Sequence, residues 1–318
     1  MSTIFIQIAS YRDPELAATI ADAIEKARQP DRLSFGVVWQ GKVGIDPLPL
    51  EHLDCCRMLL VDSDRARGVG WARAKTQSLW EGEPYTLQID SHMRFVTGWD
   101  ELLLTMLHQC PSPKPVLTAY PPAYTPPDVL HPGAPTRLAA SHFHEQGSLS
   151  LVSAGNLASD RQPQLGMFMA AGFWFAPAQL IQEVPYDPHL YFYGEEVNLA
   201  VRAWTSGWDI YYPHRIVCYH EYNRVGKPRH WEDHPQWWQL DQIAQQRLQQ
   251  LLHLKSGDIN FGRYGLGRNR SLSAYQAFSG VDFSNRTLTG RARQGIPQVG
   301  MVLSGSPGKG EEADSTPR

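Results

Sequence analysis

The chain has 318 residues, a formal charge of −3 and a globular composition, 42% hydrophobic and 11% aromatic. That balance excludes bulk electrostatic binding to nucleic acid or to an anionic membrane, and the length suits one catalytic domain with appendages. Four cysteines (Cys55, Cys56, Cys110, Cys218) show neither Cys-x-x-Cys spacing nor the density of a secreted scaffold, and read as ordinary thiols of a reducing compartment.

Residues 1–6 lack a basic region and a long apolar run, so they do not read as a signal peptide, and a cytoplasmic protein is the expectation. Residues 3–10 alternate and are rich in isoleucine, which predicts a strand. Asp13 is expected as N-cap and Pro14 as first residue of a helix over 14–28. Its buried face carries Leu16, Ile20, Ala23, Ile24 and Ala27. Strands are predicted at 33–39 and 57–61, a helix at 71–80, and a strand at 85–89 that runs into Asp90-Ser91-His92. Prolines crowd residues 111–135, which reads as an extended loop, either a substrate-facing lid or a partly mobile segment, and 111–165 as a whole is expected to be irregular. The apolar segment 166–181 is interrupted by Pro177 and Gln179, short of the roughly 18 apolar residues a membrane helix needs, so no membrane span is expected. Within it 170–175 reads as a buried strand. A helix at 195–204, short strands at 209–212 and 216–219, and a glutamine-rich helix at 238–254 follow. The Gly, Ser, Pro and charge of 304–318 read as disordered. Strand–helix alternation predicts an α/β layered sheet whose ligands gather at the carboxyl ends of its strands.

Asp90 and His92 sit at such an end. A carboxylate and an imidazole two residues apart on a rigid segment can reach one divalent metal, and an oxygen–nitrogen set suits manganese, zinc or iron better than calcium. His220, at the end of a second short strand, completes a three-ligand set that leaves positions open for phosphates. Gly68-Val69-Gly70 opens a helix, where glycines let backbone amides approach an anion and Arg73 and Lys75 add charge; a plain glycine loop with solvated cations is the alternative. Gly194-Glu195-Glu196 opens another helix. Successive helical residues point about 100° apart, so one carboxylate is expected to face the site, or both simply stabilise the helix start. The aromatic runs Gly172-Phe173-Trp174-Phe175 and Tyr191-Phe192-Tyr193 read first as core, with Trp174 a candidate for sugar stacking. Trp237 and Trp238 either line an acceptor groove or anchor their helix.

Taken in order, a further set of motifs resembles one family. They are Ile8-Ala9-Ser10-Tyr11-Arg12-Asp13, Gly68-x-Gly70-x-x-Arg73, Asp90-Ser91-His92-Met93-Arg94-Phe95, Ala171-Gly172-Phe173, Gly194-Glu195-Glu196 and Tyr219-His220-Glu221-Tyr222. Tyr264-Gly265-Leu266-Gly267 and Phe278-Ser279-Gly280-Val281-Asp282-Phe283 close the set. The whole is similar to the N-acetylglucosaminyltransferases whose eukaryotic members modify a hydroxyproline on a ubiquitin-ligase subunit, and more distantly to the polypeptide N-acetylgalactosaminyltransferases. The likeness covers residues 3–286, with a gap at the proline-rich loop; there and at 231–249 the pattern departs.

The resemblance implies a GT-A-type α/β fold in residues 1–225, with 111–165 on its acceptor side, an extension over 226–290 packed on it, and retention of the anomeric configuration. It implies a UDP-sugar donor, GlcNAc first, transferred to a hydroxyl on a protein or glycan. The cation, manganese with magnesium as alternative, falls to Asp90, His92 and His220. Donor contacts fall to Ser10, Tyr11, Arg12, Gly70, Arg73, Asp90, Ser91 and Gly172, with Ser10, Tyr11 and Arg12 near the uridine. Glu195 or Glu196 falls to the sugar or acceptor. A metallohydrolase on the same three ligands, and a nucleotide-sugar-binding protein without catalysis, are the competing readings.

Overall fold

The computed structural model describes residues 3–46, 54–145 and 147–299. Its architecture grows from β1 (Ile4–Tyr11), whose isoleucines alternate because successive strand residues face opposite sides. Ile4, Ile6 and Ile8 join one apolar cluster with Leu16 and Ile20 of α1 (Leu16–Lys26) and with Trp99 and Leu103 of a later helix. Burial on both faces makes the neighbouring strands near-continuous apolar runs, as parallel strands under helices are.

The remaining strands of this sheet are β2 (Leu33–Gly41), β3 (Cys56–Asp62), β4 (Tyr85–Ile89), β5 (Pro115–Thr118), β6 (Gln164–Leu165), β7 (Phe173–Pro177) and β8 (Asp209–Tyr212). Their order is β6-β8-β5-β7-β4-β1-β2-β3. The run β4-β1-β2-β3 is parallel, β7 is antiparallel to both its neighbours, and β6 is antiparallel to β8. The result is a mixed α/β sheet. Its flanking helices are α2 (Val69–Gln77), α3 (Trp99–Gln109), α4 (Glu195–Thr205), α5 (Trp237–Leu251) and α6 (Leu272–Ser279). Among the described residues no helix is long and apolar enough to cross a membrane.

The C-terminal elements share a core with the sheet. Trp204 of α4 lies 5.2 Å, ring to ring, from Phe278 of α6 and 5.6 Å from Tyr275. Leu248, Leu252, Tyr275, Phe278 and Phe283 belong to the same cluster as Val116, Trp174 and Ile210.

Several expectations need correction. The first helix begins at Leu16, not Pro14, with Glu15 as its N-cap residue; Asp13 Oδ1 still accepts from the Glu15 amide (3.0 Å), while its Oδ2 meets Ser91 and His92. The strand expected at 170–175 is displaced to Phe173–Pro177 and the one at 216–219 to Cys218–His220. The stretch 111–165 is not uniformly irregular. Pro115–Thr118 is a strand of the sheet, and Arg137–Phe143 pairs antiparallel with Leu149–Ala154, with a register shift between Ser150 and Leu151. Trp174 is fully buried and therefore out of reach of a sugar. The tail 304–318 lies outside the described residues.

Candidate active site

The polypeptide turns sharply after β4, and a short ladder brings distant residues to that turn. Met93–Phe95 pairs antiparallel with Cys218–His220, in a register that sets His220 opposite Met93. The amide of Glu221 donates to the carbonyl of His92 (3.1 Å). Asp90, His92 and His220 then offer ligand atoms that all lie within 4.8 Å of one another.

The surroundings fit a cation. Nδ1 of His92 lies 2.6 Å from Asp13 Oδ2, so that nitrogen carries the proton and Nε2 keeps its lone pair free. A carboxylate behind a ligating imidazole is the usual way to fix its tautomer and orientation. Nε2 of His220 lies 3.1 Å from Asp90 Oδ2, while its Nδ1 is buried with no hydrogen-bond partner. Burial lowers the His220 pKa, which keeps the ring in the neutral, ligating form. Burial opposes ionisation of Asp90 and Asp13. The hydrogen bond from His220 and the Arg73 guanidinium outweigh it at Asp90, and His92 and Arg224 do so at Asp13. Both carboxyls are held well below the usual range.

Arg73 ties this centre to α4. Its Nη2 donates to Asp90 Oδ1 (2.8 Å), and its Nη1 donates to Glu195 Oε1 (2.7 Å) and to the Tyr186 hydroxyl (3.1 Å). The guanidinium is 5% exposed and stays charged between its two carboxylates. Gly172 closes the wall behind Asp90: a Cβ built there would stand 2.6 Å from Asp90 Oδ2.

A cavity of about 550 Å³ opens over these groups. Both Glu195 and Glu196 line it, which corrects the expectation that only one carboxylate faces the site. Glu195 leans to Arg73. Glu196 accepts from the Tyr120 hydroxyl (2.5 Å) and from the Ala171 amide (2.9 Å) on the other flank. Burial pushes the Glu196 carboxyl up to about 7, the Tyr120 and Ala171 hydrogen bonds opposing it. Burial also raises Glu195, against the pull of Arg73.

Of the expected donor contacts, Tyr11, Arg73, Asp90, Ser91 and Gly172 line the cavity, whereas Ser10, Arg12 and Gly70 do not. Ser10 is fully buried within β1, in register with Trp39 of β2. Arg12 is held by Asp46 (2.8 Å) and Asp233 (2.9 Å), at a φ of +47° that few non-glycine residues adopt. At Gly70 the amide donates to the Leu190 carbonyl (3.2 Å), and that of Val69 to Tyr191 (2.9 Å). The first amides of α2 thus serve packing, not an anion, and any Cβ at Gly70 would strike the Leu190 carbonyl at 2.5 Å. Lys75 faces away, along a separate groove beside Trp71 and Ile243. Trp237 stacks on Tyr191 at 5.9 Å and anchors α5; neither it nor Trp238 lines the cavity.

Several lining residues were not foreseen. Asp13 was read only as a cap, although it closes the quoted Ser10-Tyr11-Arg12-Asp13 motif. Arg224, which contacts both Asp13 Oδ2 and Glu221 Oε2, follows four residues after His220. Tyr120, His144 and residues 149–151 fall within the 111–165 stretch expected on the acceptor side, and Arg229 and His230 beside the expected acceptor groove, but none of them is marked singly by a local sequence signal.

A mixed sheet with a carboxylate and two imidazoles gathered at a strand end under a cavity fits the expected GT-A type of nucleotide-diphospho-sugar transferase fold. The chain belongs to the Glycosyltransferase (GlcNAc) family, which it matches over residues 3–53 and 49–285. No protein of curated function matches it in sequence. Among solved structures it is similar to GalNAc-T7 with UDP, GalNAc and Mn2+, at 13% identity and a TM-score of 0.59, covering 87% of this chain and 57% of that one. The chain thus spans little more than half the length of that relative, and the likeness is one of fold. TarS 1–349 of S. aureus overlaps at 9% identity and a TM-score of 0.48, covering 82% of this chain and 68% of that one.

Proposed function

We propose that the protein transfers a sugar, GlcNAc first, from a UDP-sugar to a hydroxyl acceptor with retention at the anomeric carbon. The cation, manganese first with magnesium as alternative, is held by Asp90, His92 and His220. The observation that carries this reading is the convergence of those three ligand atoms within 4.8 Å at the floor of the cavity. In this reading residues 1–225 are the catalytic unit, 226–290 an extension that adds a wall to the site, and 111–165 the acceptor side.

When bound, the cation supplies Lewis acidity that takes up the charge left on the departing diphosphate. The protein's own groups do the rest. Asp13 keeps His92 in the ligating tautomer, and Arg73 keeps Asp90 ionised and aimed. Arg224 lines the same cavity and presents positive charge near the leaving group. The transition state is oxocarbenium-like, and the Glu195 and Glu196 carboxylates are placed to stabilise it. On the front face, the acceptor oxygen bonds to the anomeric carbon as the sugar–phosphate bond breaks, and the acceptor proton passes to the departing phosphate oxygen. Trapping a glycosyl-enzyme on Glu195 or Glu196 would refute this route.

Titration calorimetry with UDP-GlcNAc, UDP-GalNAc, UDP-glucose and GDP-mannose, in manganese and then EDTA, tests the reading. Manganese-dependent binding of UDP-GlcNAc is expected; no binding of any of the four overturns it and favours the metallohydrolase.

Two substitutions probe individual groups. Asp13→Asn is expected to weaken manganese binding about 10- to 100-fold, as loss of a carboxylate behind a metal imidazole does. Unchanged affinity in a manganese titration would remove Asp13 from the site. At Glu196 the folded-state pKa is raised, so the stability linked to its proton is fully present below the ordinary carboxylate pKa and is lost as pH rises through about 7. Glu196→Gln should therefore raise the melting temperature relative to the parent at pH 8, by roughly 3 kcal/mol of stability at most, and not at pH 5. It should also flatten the limb near pH 7 in the profile of kcat/KM. A parent profile flat between pH 6 and 8 would mean the carboxylate plays no part.

A further inference from the structure

The Tyr191-Phe192-Tyr193 run was expected in the core, yet two of its three rings leave it. Phe192 is 43% and Tyr193 49% exposed, and both line the cavity. They belong to a chain of ring contacts. Trp231 meets Phe192 edge-on at 5.3 Å, and Phe192 meets Tyr193 at 5.4 Å. Tyr193 meets His144 at 6.2 Å, and His144 meets His142 at 4.9 Å. Three separate parts of the chain supply these rings: the segment before α4, the short helix His230–Asp233, and the hairpin Arg137–Phe143 with Leu149–Ala154. The chain of rings runs from Trp231 through Phe192 and Tyr193, just before α4 in sequence, to His144 and His142 of the hairpin.

Exposed aromatic rings gathered at the mouth of a cavity mark a binding surface rather than solvent decoration. Resting on the transferase reading above, we propose that these rings are the acceptor platform and that the acceptor is an oligosaccharide. A pyranose ring has an apolar C–H face for an aromatic ring, with its hydroxyls around the perimeter. There Ser150, the Tyr193 and Tyr222 hydroxyls, Arg229 and the imidazole of His144 can hydrogen-bond them. One of those hydroxyls is the group that a sugar transferase must present to its donor. An ordinary peptide laid over the same rings would bury backbone amides against aromatic carbon, at the desolvation cost of an unpaired polar group. A run of several rings also implies several sugar units.

The experiment uses the full chain with UDP-GlcNAc and manganese and follows UDP release. Added probes are N-acetylglucosamine, chitotetraose, cellotetraose and xylotetraose, and a serine- and threonine-containing decapeptide. At least one tetrasaccharide is expected to stimulate release more than tenfold over the monosaccharide. Phe192→Ala combined with Tyr193→Ala should raise its KM about tenfold or more, with the calorimetric affinity for UDP and manganese unaltered. Stimulation by the peptide alone, by no oligosaccharide, or equally in the double variant overturns the proposal. Absence of UDP-sugar binding altogether would fail the transferase reading itself, a separate and distinguishable result.

Discussion

Asp90→Asn is expected to lower transfer by at least about 10³-fold, because in the proposed reading it weakens the one carboxylate among the three gathered cation-binding groups. The loss should appear as lost manganese affinity in calorimetry and as lost kcat/KM in UDP release. A folding control is needed, since Arg73 is buried and has two carboxylate partners, Asp90 and Glu195. Removing one charge from such a group destabilises, though Glu195 still compensates it. Circular dichroism should show a folded protein with a lower melting temperature. His220→Ala makes the matching test from the other strand. Full transfer activity in both variants would sink the metal assignment.

Gly172→Ala is expected to cost about 10²-fold in kcat/KM through one methyl group. The backbone there does not require glycine, as Gly172 is absent from the positions of positive φ. What excludes a side chain is the Asp90 carboxylate, with Oδ2 at 2.6 Å and Cγ at 3.3 Å from the added carbon. Asp90 has little freedom to yield: Oδ1 is held by Arg73 and Oδ2 lies against His220. Alanine therefore pushes the ligand oxygen away from the imidazole, and misplacement by about 1 Å carries losses of this size. The melting temperature should fall as well, since overpacking against a held group costs about 1–3 kcal/mol, and circular dichroism serves as the folding control. Parent-like manganese affinity in folded Gly172→Ala would show that the carboxylate relaxes without consequence.

How much of this could be read in the sequence depended on how local each signal was. The alternation in β1, the helical spacing of Leu16, Ile20 and Ala23, and the strand running into Asp90 are short-range patterns, and each appears near its expected place. At Asp13 only the local half was legible: Oδ1 accepts from the nearby Glu15 amide as a residue before a helix does, whereas the partners of Oδ2, Ser91 and His92, lie 78 and 79 residues away. Gly70 went astray for a similar reason: a glycine at a helix start fits anion binding and close packing equally, and only the position of the Leu190 carbonyl decides. Both α4 carboxylates reach the cavity because Arg73 and Tyr120 draw them to opposite flanks. The 100° rule counts positions on the helix and says nothing of where long side chains end. The exposed rings of Phe192 and Tyr193 were hidden because an aromatic run looks the same whether it faces a core or a cleft.

Trp204 against Phe278 and Tyr275, and residues 228–231 along the cavity wall, have a consequence for the chain as it leaves the ribosome. Synthesis runs from the N-terminus, and segments fold as they emerge. Asp90 and His92 appear early, His220 much later, and the aromatic cover for Trp204 later still. A chain halted before residue 220 lacks one of the three gathered groups, and one halted before residue 275 leaves an apolar face of α4 uncovered. The pocket is therefore complete only after residue 231 has been added, and the apolar face of α4 is covered only after Phe278.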